Sequence, residues 1–219
     1  MLYSGGFDSY LISFLTKPDI LLYFDIKGAY SKQELAAINS HAVYGKKFIV
    51  DHTLNLGLVE DKKTLIVPNR NLLFITRALD YGNHILVGFT EGDTAPDKTS
   101  LFINRTRLLL NGLSDSPVYL QAPYKKCTKA SLLRLCLKKG LSPVEAQHIR
   151  SCYLTSKKGC GTCYPCFTKA VALYHNDLFD PRLFDKDPRE YKKIYLRVAE
   201  KYRSDTRTFK DIVSFVNKA

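Results

Sequence analysis

Short apolar runs alternate along the chain with longer stretches in which apolar residues return every third or fourth position. The runs at 20–24 (ILLYF), 47–50 (KFIV), 85–87 and 118–120 predict strands, each followed by a polar or Gly-bearing turn. The stretches 8–15, 31–44, 71–81, 101–110 and 129–139 predict amphipathic helices between them. Such alternation points to an α/β domain with a mainly parallel sheet. Ahead of the first helix only Met1 to Tyr3 are available as a strand, fewer than the usual run of about five or six residues. From Asp177 onward the pattern changes to Asp-Pro punctuation (Asp180-Pro181, Asp187-Pro188), then to a basic, Tyr-rich helical stretch over 191–217. The expected organisation is an α/β domain over 1–145, a metal-binding segment over 146–176 and a C-terminal helical appendage over 177–219.

A chain of 219 residues can bury a core of its own without disulfides. Its 45% hydrophobic and 25% charged residues are ordinary for a globular protein, and no apolar run reaches the length of about 18 residues that a membrane span needs. The first residues show no basic stretch leading into an apolar one, so a reducing, cytoplasmic setting without a membrane is expected. The net charge of +12, from 33 Lys and Arg against 21 Asp and Glu, favours polyanionic partners: a nucleotide, pyrophosphate or nucleic acid. Much of that charge sits in scattered doublets (Lys46-Lys47, Lys62-Lys63, Lys125-Lys126, Lys138-Lys139, Lys157-Lys158, Lys192-Lys193), the pattern of a solvated face.

Between the first apolar residues and the first helix lie Tyr3-Ser4-Gly5-Gly6-Phe7-Asp8-Ser9. Two glycines let the backbone turn sharply and approach an anion, and the amides opening the helix point at it with the positive end of the dipole. Ser4 and Ser9 can add hydroxyl donors, while Asp8 can cap the helix or help to hold magnesium. A plain strand-turn-helix capped by Asp8 is the competing reading.

Cys152, Cys160, Cys163 and Cys166 form a C-x7-C-x2-C-x2-C cluster. Four thiolates so close in sequence suit tetrahedral zinc, with Cys160-Gly161-Thr162-Cys163 as a tight turn that brings two sulfurs together. A reducing compartment disfavours disulfides; an iron–sulfur cluster and four free thiols stay open. Four protein ligands leave no position for water, so the metal would be structural. Of the two other cysteines, Cys136 falls on the apolar face of a predicted helix, and Cys127 is the spare candidate for exposure.

The segment Ser4-Gly5-Gly6-Phe7-Asp8-Ser9 resembles the SGGxDS signature of the PP-loop, or N-type, ATP pyrophosphatases. It has no Gly-Lys-Thr of the kind a Walker loop requires. The resemblance implies a Rossmann-like, adenine-nucleotide alpha hydrolase-like fold, with ATP cleaved between its α and β phosphates. The later Cys-Tyr, the Lys/Gly stretch and Cys-Gly-x-Cys-x-x-Cys narrow it to the QueC family, over most of residues 1–175. Val67-Pro68-Asn69-Arg70-Asn71-Leu72-Leu73-Phe74 is similar to that family's VPGRNxLF, Thr128-Lys129-Ala130 to its Lys-Ala helix start, and Gly88 with 91–97 to its loop after the fourth strand. Carried over, Tyr3, Ser4, Gly5, Gly6, Phe7, Asp8, Ser9, Tyr10, Leu11, Ile12 and Ser13 would bind the nucleotide, together with Asp25 and Gly88. Asp8, Arg70 and Lys129 would act on the phosphates or the adenylate, and the four cysteines would hold zinc.

The implied reaction converts 7-carboxy-7-deazaguanine and ammonia to 7-cyano-7-deazaguanine, with ATP and magnesium, in a homodimer. Lys98-Thr99 stands where the family has Cys-Arg, which would alter contacts to the base. Two other readings stay open. One is a PP-loop enzyme that adenylates a nucleic-acid base or another carboxylate, for which Cys127 would be the spare nucleophile. The other is a zinc-stapled nucleic-acid-binding module without catalysis.

Overall fold

The computed structural model describes residues 1–40, 44–62, 66–93, 95–154, 158–203 and 206–218. Lys63, Lys157 and Thr94 of the sequence patterns above, and 41–43 of the helix expected over 31–44, lie outside the described residues.

Strand β1 (Ile20–Phe24) pairs in parallel with β2 (Lys47–Asp51), from Ile20 opposite Lys47 to Phe24 opposite Asp51. Strand β3 (His84–Leu86) pairs in parallel with β4 (Tyr119–Gln121). Residues 1–3 join the two pairs: Leu2 bridges Leu22 in parallel, the Tyr3 amide donates to the Leu22 carbonyl (2.9 Å) and the Leu2 amide to the Leu86 carbonyl (2.9 Å). The short first segment expected from the sequence therefore lies at the centre of one parallel layer, in the order β2, β1, 1–3, β3, β4. The chain order reverses direction about residues 1–3, and in open α/β sheets ligands bind beyond the carboxyl ends of the strands at such a switch point.

The strand predictions at 85–87 and 118–120 are each off by one residue. Strand β1 is buried along nearly its whole length, as the continuous apolar run implies, and β2 forms the edge, with Lys47 exposed.

Helix α1 (Phe7–Thr16) starts at Gly6 and ends at Lys17, which takes a left-handed conformation (φ 43°) and returns its amide to the Ser13 carbonyl. Pro18 follows, so the helix cannot continue. Tyr10, Leu11 and Ile12 face the core, where α1 meets α5 (Lys129–Lys138) through Leu132, Leu133 and Cys136. The Cys136 thiol is fully buried and donates to the Leu11 carbonyl (3.4 Å), and burial pushes its pKa up to about 12, which fits its expected part as a small core residue. Helix α2 (Ser31–Ser40) lies against the turn before α1. Helices α3 (Arg70–Ala78) and α4 (Ser100–Leu113) cover a second apolar cluster built on Phe24, Ile75, Ile85, Val87 and Leu120.

After the short α6 (Pro143–His148), the cysteine segment leads into α7 (Tyr164–Tyr174). Helices α8 (Lys192–Arg203) and α9 (Arg207–Lys218) pack against it. A third cluster gathers Cys152, Cys160 and Cys166 with Phe167, Phe184, Ala199, Ile212 and Phe215. The Phe215 ring meets Tyr174, Phe167 and Phe179 edge-on at centroid distances of 5.3, 5.6 and 5.6 Å. Among the described residues no helix is long and apolar enough to cross a membrane.

Candidate active site

The turn from residues 1–3 into α1 owes its path to Gly5, which has φ +68°; a Cβ there would meet Ile38 Cγ1 at 2.6 Å. Only glycine satisfies both the backbone and the close approach of α2. Beyond it the Ser9 hydroxyl donates to the Gly6 carbonyl (3.0 Å), and the two hydroxyls of Ser4 and Ser9 lie 3.3 Å apart. Gly6 supplies no side-chain cap, so the amides opening α1 are left to an external acceptor.

This turn forms one side of a cavity of about 310 Å³ beyond the carboxyl edge of the sheet. Tyr3, Ser4, Gly6, Phe7, Asp8 and Ser9 line it, as do Gly88, Arg70, Lys129 and Cys152. Gly5 lies behind the turn. Tyr10, Leu11, Ile12 and Ser13 do not reach the cavity: all four are buried at 1% exposure or less on the core side of α1. The helical period already assigns two of them that direction, because Tyr10 and Leu11 stand three and four residues from Phe7, and four and three from Phe14. Asp25 is also outside the lining; it is buried beside β1, accepts from the Lys27 amide (3.2 Å) and ammonium, and faces His52 Nδ1 at 3.1 Å.

Lys129 reaches the cavity because Thr128 caps α5. The Thr128 hydroxyl accepts from the Ser131 amide (3.1 Å), a contact worth about 1 kcal/mol to a helix start. Lys129 thus becomes the first residue of α5, and its ammonium pairs with Asp8 Oδ2. The other Asp8 oxygen is buried without a hydrogen-bond partner, an acceptor aimed at something the protein does not itself supply.

Arg70 is placed in a comparable way. Asn69, where the similar family pattern has Gly, takes the left-handed conformation (φ 56°) that Asn tolerates best after glycine, and α3 starts at Arg70. The Asn71 amide points at Asp97 Oδ2 (3.4 Å), which ties this helix start to the turn carrying Lys98.

Several further residues line the cavity besides those assigned to the nucleotide and the metal from the sequence. Lys98 pairs with Asp93 (3.0 Å), whose other oxygen accepts from the Thr90 amide (2.8 Å). Burial disfavours the Lys98 charge, but Asp93 outweighs it and the pKa is raised. Lys169 is buried, donates to the carbonyls of Gln147 and Ile149 (2.6 Å each), and has its pKa pushed down to about 8 by burial. Tyr30 stacks on Tyr153 with centroids 4.5 Å apart, and Glu34 projects from the first turn of α2. Lys98 was marked by its departure from the similar family pattern, and Tyr153 could have been suspected from its place beside Cys152; Tyr30, Glu34 and Lys169 carry no local signal, because α2 and α7 bring them in from distant parts of the chain. The lining holds the cations Arg70, Lys98, Lys129, Arg150 and Lys169 against the carboxylates Asp8, Glu34 and Asp93, and this excess of positive charge suits a polyphosphate. Cys127 does not line the cavity, so the structure offers no support for it as a nucleophile there.

Behind the wall made by Cys152 and Tyr153, the four expected cysteines converge, with their sulfurs all within 4.8 Å of one another and Cys160 and Cys166 3.9 Å apart. A tetrahedral zinc with bonds of about 2.3 Å places its sulfurs about 3.8 Å apart. Amides of Leu154 and Cys160 point at Cys152 Sγ (3.3 and 3.4 Å), and those of Thr162 and Cys163 at Cys160 Sγ (3.4 and 3.3 Å), as suits anionic sulfur. Gly161 has φ +73°, and a Cβ on it would fall 1.7 Å from the Lys186 carbonyl oxygen. The donor set and spacing fit a metal such as zinc.

Residues 19–177 match the family described as queuosine biosynthesis protein QueC. The chain is similar to 7-cyano-7-deazaguanine synthase 2 of Colwellia psychrerythraea, with 27% identity over 212 residues that cover 83% of this chain and 95% of the other. It is similar to the 7-cyano-7-deazaguanine synthase of Archaeoglobus fulgidus at 30% over 157 residues, 67% of this chain and 64% of that one. The corresponding synthase of Hahella chejuensis is 29% identical over 161 residues, 69% of this chain and 68% of that one.

Proposed function

The chain belongs to the QueC family, and on that premise we propose that it is an ATP-dependent ligase that makes 7-cyano-7-deazaguanine from 7-carboxy-7-deazaguanine and ammonia. One observation carries the reading: a single cavity holds a phosphate-type turn, an excess of cations and an aromatic pair, and is closed on one side by the cysteine segment.

A carboxylate oxygen of the substrate attacks the α phosphorus of ATP, the bond to the bridging oxygen breaks, and pyrophosphate leaves as the acyl adenylate forms. Amides of the 4–9 turn and the charges of Lys129 and Arg70 stabilise the pyrophosphate as negative charge builds on it. Ammonia then adds to the acyl carbon, loses a proton and expels AMP, giving the amide. With a second ATP the amide oxygen is adenylated in the same manner, and loss of AMP and a proton leaves the nitrile. The adenylates are prone to hydrolysis, so a cavity walled by the cysteine segment serves to exclude water. Magnesium bound with the nucleotide would neutralise phosphate charge, held by Asp8 through its unpartnered oxygen. Zinc on Cys152, Cys160, Cys163 and Cys166 would be structural. A homodimer in the cytoplasm completes the proposal.

The test is a mass-spectrometric assay of the purified protein with magnesium-ATP, ammonium and 7-carboxy-7-deazaguanine. A nitrile product with AMP is expected. AMP without change to the deazapurine would move the reading to another carboxylate or to a nucleic-acid base.

A further inference from the structure

The cavity has two differently built halves. One is apolar: Phe24 and Phe74 stack at 4.9 Å with ring planes 20° apart, flanked by Leu22, Ile26 and Val87. It offers an apolar wall and suits the adenine of ATP. The other half, between α2 and the cysteine segment, holds Tyr30 against Tyr153 with Glu34 nearby.

Glu34 differs from the other two carboxylates of the lining. Asp8 is paired with Lys129 and Asp93 with Lys98, whereas Glu34 has the Arg70 charge and the Tyr23 hydroxyl in its vicinity, and that hydroxyl donates to the Ser31 carbonyl (3.4 Å). Burial disfavours its charge and pushes its pKa up to about 7, with Arg70 and Tyr23 opposing; Asp25 and Glu60 add to the upward push. Such a group gains most from a ligand that brings donors of its own.

The chemistry of the donors can be specified. In its ionised form, which a ligand bringing two donors favours, the Glu34 carboxylate has two acceptor oxygens side by side and can receive two adjacent N–H groups. A guanine-type ring presents that pair, N1–H and the exocyclic 2-amino group. Adenine presents an acceptor and a donor on the same edge, and would set its N1 lone pair against a carboxylate oxygen. Tyr30 immediately precedes α2, and the Glu34 amide donates to its carbonyl (2.9 Å), so the stacking ring and the carboxylate are held in one local frame.

We propose that Glu34 is the specificity-determining residue for the deazapurine, accepting N1–H and the 2-amino group of a guanine-type ring placed by Tyr30 and Tyr153. This rests on the functional reading above and deepens it. It assigns the substrate to the α2 side of the cavity and the adenine of ATP to the Phe24–Phe74 side.

The experiment is calorimetric binding of three probes to the metal-loaded wild type and to Glu34→Gln: 7-cyano-7-deazaguanine, its analogue lacking the 2-amino group, and magnesium-ATP. The wild type is expected to prefer the 2-amino compound by at least about 100-fold, the order by which a site built for polar groups rejects a ligand lacking them. Glu34→Gln is expected to reduce that preference to below about tenfold while its ATP affinity stays within about twofold. An unchanged preference in the variant, or an equal loss for ATP, would overturn the assignment. The wild-type comparison of the two deazapurines needs no variant, and equal binding of both would overturn it as well. A wild type that binds ATP but neither deazapurine would bring down the functional reading, and this inference with it.

Discussion

The wall of the cavity made by residues 1–9 is backbone held by a sheet: a central segment hydrogen-bonded on both sides, a turn set by Gly5, and a helix that opens onto the cavity. The opposite wall, from Cys152 to α7, has no strand among its described residues. Its shape comes from four convergent sulfurs, a turn braced against the Lys186 carbonyl, and aromatic packing onto α8 and α9. The first wall should keep its geometry when the metal is lost, and the second should not. On the proposed function, the phosphate half of the site rests on a rigid layer and the base half would depend on a metal.

The strongest way to break this comparison is Cys163→Ser. It should lose the metal and destabilise the chain by about 3 kcal/mol or more, since metal binding is coupled to folding. Metal content and thermal unfolding check it, and one metal per chain retained in the variant would refute the metal's role in the wall. Next is Asp8→Asn, which removes charge from the phosphate side without touching the core; turnover should fall about 100-fold with the melting temperature nearly unchanged. The double change Ser4→Ala with Ser9→Ala should cost less, about tenfold.

Acid should act on the sheet. Burial alone would raise the pKa of Asp51, at the end of β2, but hydrogen bonds from Thr53, Tyr81 and Arg77 outweigh it and pull the group down to about 2. Its contribution is therefore present at neutral pH and down to its ordinary value of 3.8, and is lost as the pH falls from there toward 2. Asp51→Asn should flatten the acid limb of the stability curve over that window, and an unchanged limb would contradict the assignment.

The smallest effect is expected at Arg207. Its amide and Nε both donate to Glu91 (3.1 Å each), and its side chain reaches the Lys126 carbonyl, so α9 is tied to the loops leading to Asp93 and Lys129. Arg207 is 62% exposed, so Arg207→Ala should cost less than about 1 kcal/mol in stability. A KM for ATP that rises while kcat holds would show that the tie positions these loops.

Much of the fold was legible because period and length are local properties. Strand β1 reads as a continuous apolar run, α1 and α5 as amphipathic helices, and the cysteine spacing as a convergent cluster. The central place of residues 1–3 was not legible, because three residues carry too little pattern and their role comes from two neighbours 19 and 84 residues away, Leu22 and Leu86. The contact of Lys129 with Asp8 spans 121 residues, and no spacing rule reaches that far. The same holds for Glu34 and Tyr153, which share the cavity only after the sheet and the cysteine segment have met. Residues 10–13 teach the opposite lesson. They follow a phosphate turn in sequence, yet the helix turns them into the core, so a motif's reach is bounded by the face of the element that carries it.

The most direct test of the central claim is to supply 7-carboxy-7-deazaguanine labelled with heavy oxygen in both carboxylate positions and to weigh the nucleotide products. The account predicts AMP carrying one heavy oxygen, from attack of the carboxylate on the α phosphorus, with unlabelled pyrophosphate and a nitrile free of oxygen label. Unlabelled AMP, or ADP with the label in phosphate, would contradict it.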